Sequence, residues 1–299
     1  MAEHYRQTIS AAHDTSVKQR YLIVHADDFG LSEKISDGIV LAHKEGVLTS
    51  TSVIATGKAF VHAMETCRSL PTMDLGVHLT LVEERPVLGQ SAIPSLVNAN
   101  GFFFDHATAF IRRYATGNIS LIEIRQEFEA QIKRVLDWHI PVSHLDTHQH
   151  LHGLPAIRHI VDDLARKYRI PAVRYPREEL RWYMLRNIRM LPRTLQLLAL
   201  NFFCRLGKAP VLAHTDHFAG FYFGGYLTRS NLRTLIDNLP PHGSCEMMCH
   251  PGLPDDSGVY GHWNYRWADE LDALLDPQLP ELLRHNGIHL IGYRDLAAR

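Results

Sequence analysis

Cysteine is scarce. Cys67, Cys204, Cys245 and Cys249 are the only four in 299 residues, too few for a disulfide scaffold, and the Cys245–Cys249 spacing lacks the second pair of a structural zinc site. Net charge is close to zero, with 31 basic and 32 acidic residues, so nothing global draws the chain to nucleic acid or to an anionic membrane. No apolar run reaches the roughly 20 residues that span a bilayer, and no Gly-rich phosphate loop is present. Residues 1–20 lack the apolar core of a secretory signal. There is no internal repeat and no low-complexity tract. These absences leave a reduced, cytoplasmic enzyme as the expectation. Lysine is scarce too, seven residues against 20 histidines. Imidazole is the commonest metal ligand and titrates near neutrality, so the positions of the histidines decide what the excess means.

With 45% hydrophobic and 21% charged residues, the chain can bury a sizeable core. Residues 1–20 are polar and mixed and read as a mobile tail, leaving 21–299 as one domain. Tyr21–Val24 opens a short apolar, β-rich run that stops at His25, Asp27 and Asp28, the pattern of a fully buried parallel strand. Helical spacing follows from Ile35 to Gly46, then a strand TSTSVIAT, a helix near Ala59–Ser69 and a strand from Asp74 to Leu81. Ser120–Trp138 and Leu154–Tyr168 read as helices. PVSHLD, the start of AVRYPRE, Glu246–Cys249 and Leu290–Tyr293 read as strands. The alternation predicts an α/β fold with a parallel sheet and right-handed crossovers. Arg181–Ala213 departs from it. The stretch Leu191–Leu206 is strongly apolar, with Arg193 and Arg205 near its ends. It reads either as a helix packed on the barrel or at a dimer contact, or as an interfacial helix that approaches lipid.

Polar residues at the carboxyl ends of parallel strands face the crevice where ligands bind. That rule gathers Asp27 and Asp28, His78, the run His144, Asp146, His148, His150 and His152, and His250 onto one rim. Adjacent buried carboxylates repel unless a cation lies between them, so one aspartate can bind a metal while its neighbour aims at a metal-bound water; a solvated or helix-capping pair is the plain alternative. His78, flanked by Val77 and Leu79, could equally be a satisfied core residue. If 144–152 were extended, its five alternating polar residues would share one face. His148 is assigned to the metal and Asp146 to orienting an imidazole. The remaining histidines are left to substrate contact or packing. An Asp–His–His set keeps coordination positions open, as a catalytic site does. Imidazoles favour Zn²⁺, and the carboxylate also tolerates Mg²⁺ or Mn²⁺. Such a site is suited to hydrolysis, with Asp27 taking a proton from water and His250 protonating a leaving amine. Arg174 and Glu246 are expected to pair near the rim, and Trp182/Tyr183 and Trp263/Tyr265 either stack on rings of the substrate or pack.

The motifs HADDFG, TSTSVIA, GVHLTL, HLDTHQHLHG, VRYPRE and EMMCHPG, in this order, resemble the YdjC-like carbohydrate deacetylases, which include chitooligosaccharide deacetylases. The resemblance runs from Tyr21 nearly to the C-terminus. It implies a distorted parallel (β/α) barrel of the NodB-like polysaccharide deacetylase type, a homodimer, and removal of an N-acetyl group from an amino sugar with one divalent ion, Zn²⁺ or Mg²⁺. Carried over, Asp28, His78 and His148 are the metal ligands, Asp27 the base and His250 the acid. His25 departs from relatives with Asn or Thr there and is expected to tune the rim. ERPVL, IPSLVNANGFF and AHTDHFAG resemble the hopanoid-biosynthesis branch, HpnK. That branch implies N-acetylglucosaminyl bacteriohopanetetrol as substrate; the apolar 191–206 segment suits a lipid-linked substrate and a peripheral contact with the inner membrane. The alternatives are a soluble chitooligosaccharide deacetylase, a metal-dependent phosphoesterase and a non-catalytic sugar-binding protein.

Overall fold

The structure, a computed structural model, describes residues 19–254 and 258–299. The tail reading falls mostly on residues 1–18, outside the described residues; Arg20 already belongs to the first strand. β1 (Arg20–Phe29) is buried from Leu22 onward, its apolar start and the polar His25, Asp27 and Asp28 alike, as a central parallel strand is. Around it lie β2 (Ser50–Val53), β3 (Asp74–Leu79), β4 (Val142–Thr147), β5 (Ala172–Val173), β6 (His217–Ala219), β7 (Gly243–Cys249) and β8 (Ile288–Leu290). The order is β5-β4-β3-β2-β1-β7-β6, every pairing is parallel, and β8 pairs with the first three residues of β1. Isolated parallel bridges, Ala172 to Ala213 and Glu178 to Phe218, bring the two edges of the sheet together. The expected distorted parallel barrel is present.

Some of the helices that cover it start at a side-chain cap. Ser32 accepts from the Ile35 amide to open α1 (Glu33–Glu45), which α2 (Phe60–Arg68) follows. After α3 (Ala107–Ala115), Ser120 caps α4 (Leu121–Leu136) in the same way. Next come α5 (Pro155–Lys167), α6 (Trp182–Arg186) and α7 (Leu191–Leu206). α8 (Arg229–Asp237), α9 (Trp267–Leu274), α10 (Leu279–His285) and α11 (Tyr293–Ala297) complete the set. The sequence reading places the last strand too late: Gly292 ends the extended chain, and Tyr293 already begins α11. Among the described residues no helix is long and apolar enough to cross a membrane.

Candidate active site

Adjacent residues of a regular strand point to opposite faces, so two neighbouring aspartates should not reach one crevice. β1 solves this with a bulge. Its register against β2 shifts between Ala26 and Phe29, and Asp28 takes a φ of 69°, in the left-handed region that non-glycine residues seldom adopt. Both buried carboxylates then face β3, with His78 Nε2 3.6 Å from Asp28 Oδ1 and 4.0 Å from Asp27 Oδ2. Asp28 does not cap α1; Ser32 does.

His78 and Asp146 are direct partners in the β3–β4 register, and His78 Nδ1 lies 2.9 Å from Asp146 Oδ1. That contact leaves Nε2 facing inward. β4 ends at Thr147, and the chain turns through His148–Gly153 with Gln149 and His150 in the left-handed region. The extended-face reading of 144–152 is therefore corrected: alternation stops at Asp146. The turn points His148 Nδ1 at Asp28 Oδ1 and His78 Nε2, 3.3 Å from each, while its Nε2 meets Glu83 Oε2 at 3.0 Å. Each imidazole thus has its outer nitrogen held by a carboxylate and its inner nitrogen aimed at the same point, the arrangement that orients metal-binding histidines. Burial disfavours a charged imidazolium, but contacts with Asp28 and Glu83 outweigh it and push His148 up to about 10.

Asp28, His78 and His148 each offer one donor atom, all within 4.8 Å of one another. Among the described residues, neither buried oxygen of Asp28 has a hydrogen-bond donor in good geometry. A buried carboxylate in that state is costly, and a cation among the three donors would satisfy it. These residues fit a divalent ion. Two overlapping groups, His25–His144–Asp146 and Asp27–His78–Asp146, fit one less well because Arg174 already supplies their positive charge. Its fully buried guanidinium grips Asp27 with two bonds of 2.6 and 2.9 Å and reaches Asp146 at 3.0 Å and Glu246 at 2.8 Å. The expected Arg174–Glu246 pair exists, and Tyr293 completes it by donating to Glu246 at 2.5 Å. Burial would raise the Asp27 carboxyl, but Arg174 prevails and holds it well below the usual carboxylate range.

His250 follows β7, its amide bound by Glu270 and its buried Nδ1 without a hydrogen-bond partner among the described residues. Its ring lines a cavity of about 460 Å³ together with Asp27, Glu83, His148, His150 and Tyr265. His144 and His152 do not line it. His144 stacks on Tyr293 at 3.8 Å. His152 is fixed between Thr147 Oγ1 and the Arg174 carbonyl, and burial lowers it to about 3. His25 is buried between Ser50 and Ser52 and does not line the cavity, but its Nε2 lies 3.3 Å from Asp27 Oδ1 and 3.5 Å from Asp146 Oδ2. Trp182 is 79% exposed and Tyr183 stacks on Phe223, so that pair does not line the cavity; Trp263 sits 5.2 Å from His148. Sequence reasoning missed Glu83 and Ser52. Glu83 sits in an irregular loop with no periodicity to reveal it. Ser52, which donates to Asp146 at 2.9 Å, was signalled by hydroxyls at alternate positions of a buried strand.

Comparison with known proteins places the chain. Residues 21–285 match the family model described as YdjC-like protein, and the chain belongs to that family. A carbohydrate deacetylase of Geobacillus stearothermophilus is 30% identical over 277 residues, 92% of this chain and 98% of that one. A chitooligosaccharide deacetylase of Serratia marcescens is 30% identical over 281 residues, 93% and 100% of the two chains. The crystal structure of an Enterococcus faecalis protein, described as a candidate cellobiose-phosphate cleavage protein, superposes with a TM-score of 0.71 at 28% identity, covering 93% of this chain and 99% of its own.

Proposed function

We propose that residues 21–299 form a metal-dependent carbohydrate N-deacetylase that hydrolyses the N-acetyl group of an N-acetylglucosamine-type sugar. One observation carries the reading: an arginine-held carboxylate, Asp27, stands beside a cluster of three donors, Asp28, His78 and His148, that converge on one point. Those three residues would hold one divalent ion, Zn²⁺ or Mg²⁺. When bound, the ion supplies Lewis acidity and lowers the pKa of water. Asp27 accepts the proton of the attacking water; Arg174 keeps it ionised and fixes its direction. The water oxygen adds to the acetyl carbon, the C–N bond breaks, and His250 gives a proton to the departing amine. Asp146 and Glu83 position the two imidazoles, Glu246 and Tyr293 position Arg174, and His150 contacts substrate. No Gly-rich phosphate loop favours a phosphoesterase, and a sugar binder needs no free carboxylate beside a metal cluster.

The finer substrate is the N-acetylglucosaminyl headgroup of a hopanoid lipid, handled by a homodimer at the cytoplasmic side of the inner membrane. The ERPVL and AHTDHFAG motifs support it, as do Leu151, Leu154, Leu200 and Phe203, which give the cavity an apolar wall. A soluble chitooligosaccharide is the second reading, favoured by what the Serratia relative is named for. Acetate release from diacetylchitobiose and from an N-acetylglucosaminyl hopanoid, each with and without chelator, separates them. Chelator-sensitive release from the lipid alone is expected. Release from chitobiose alone would keep the chemistry and discard the lipid, and release from neither by metal-loaded protein would contradict both.

A further inference from the structure

α7 presents three faces to three environments. Thr194, Leu197, Asn201 and Cys204 are buried against the body of the protein. Arg193, Gln196, Ala199, Leu200 and Phe203 line the cavity. Leu191, Leu195, Leu198, Phe202 and Leu206 are exposed, and their offsets of four, seven, eleven and fifteen residues from Leu191 make one continuous outward stripe at helical periodicity. The stripe borders the cavity-lining face. It also extends backward along the chain, through Ile188 (83% exposed), Leu185 and Trp182.

The charge of this region is one-sided. From Leu180 to Thr215 there is no aspartate or glutamate, yet the same 36 residues hold five arginines and Lys208, while the rest of the chain has 25 basic residues against 32 acidic ones. Arg186, Arg189, Arg205 and Lys208 are exposed, and among the described residues none of the four has a carboxylate partner. We infer that the outer face of 180–211 docks on the surface of an anionic lipid bilayer. Apolar residues with tryptophan on one face and unpaired arginines beside them match what an interfacial helix presents to headgroups and acyl chains. A second copy of the chain is the poorer occupant. An isologous contact would set this patch against itself and bring the same cations together with no acid in the patch to pair with them.

Docked this way, the membrane meets the stripe while the adjoining face of the same helix still lines the cavity, so a sugar anchored in that bilayer enters without leaving it. That use rests on the lipid-linked substrate proposed above; the docking itself does not. The test is flotation of the full chain with vesicles of phosphatidylcholine, alone or mixed with phosphatidylglycerol, with light scattering for the oligomeric state. The wild type is expected to float with anionic vesicles at low salt, about tenfold less with neutral vesicles or at high salt. Arg186→Glu/Arg189→Glu should weaken binding about tenfold or more. Leu195→Ser/Phe202→Ser should abolish it at unchanged charge and unchanged oligomeric mass. No flotation of the wild type, or equal flotation of all variants, overturns the inference. A dimer that falls apart in Leu195→Ser/Phe202→Ser without any vesicle binding overturns it as well and makes the stripe a subunit contact. Binding is read without turnover, so an inactive protein that floats would fail the deacetylase reading alone.

Discussion

Asp27 and Asp28 are neighbours in sequence and close in space, yet their surroundings set them different tasks. Arg174 neutralises Asp27 through two hydrogen bonds, which leaves it ionised, aimed and unavailable as a ligand. Among the described residues Asp28 meets no donor in good geometry but lies near two imidazole nitrogens, which suits it to a metal. Asp27→Asn should therefore keep its metal while turnover falls by a factor of about 10²–10⁴, the loss expected for a general base. Metal analysis and acetate release on the same sample check it, and unchanged turnover would remove Asp27 from the mechanism. Glu83 acts through His148, whose outer nitrogen it holds at 3.0 Å. Glu83→Gln should weaken metal affinity about 10–100-fold, measured by competition with a chelator of known affinity. An unchanged dissociation constant would leave Glu83 a bystander.

At the scale of elements, the bulge in β1 and one close backbone contact position the chemistry, and a buried carboxyl ties the sheet's edges. A Cβ on Gly38 of α1 would come within 2.4 Å of Gly252 Cα, just after His250. Gly38→Ala must push that loop outward, and a displacement near 1 Å costs on the order of 10²-fold in rate with metal binding intact; wild-type kcat would show that the loop does not place the acid. Glu178 joins the sheet's edges, accepting from the Gly220 and Tyr222 amides, and burial raises it from 4.5 to about 7. A carboxyl raised on folding favours the protonated form, so its contribution is most favourable below about pH 4.5 and is lost as pH rises through 7. Glu178→Gln should flatten the fall in unfolding free energy across that window by on the order of 2–3 kcal/mol, read from urea titrations at pH 5 and pH 8. An unchanged slope would refute the assignment. Long or capped elements such as β1, α1, α4 and α5 were legible from apolar periodicity and Ser or Gly boundaries. β6, three residues long, is too short to show a period. α8 has three buried residues, too few to mark a helix in sequence.

For the whole molecule, the sheet's topology makes one site from residues between Asp27 and His250, and that convergence could be read from strand ends alone. Three features could not. The inward turn of both aspartates needs the left-handed φ of Asp28, which a side-chain pattern does not encode. The clamp on Asp27 depends on β5 lying across the barrel from β1. The fate of the five polar residues in 144–152 depends on where β4 stops. Because the ion would bind the folded protein only, its removal should lower stability as well as activity. Saturation at about a hundredfold excess over the dissociation constant is worth about 2.7 kcal/mol, visible as a chelator-induced fall in Tm in the wild type and absent in His148→Ala. Equal shifts in both would place the ion elsewhere.

The most direct test of the central claim is to strip the protein of metal, add Zn²⁺ in fractions of an equivalent, and follow acetate release from an N-acetylglucosamine-type substrate. Activity should rise from near zero to a plateau at one equivalent, and Asp28→Ala should stay inactive throughout. Full activity in the metal-free protein, or recovery in Asp28→Ala, would contradict the account.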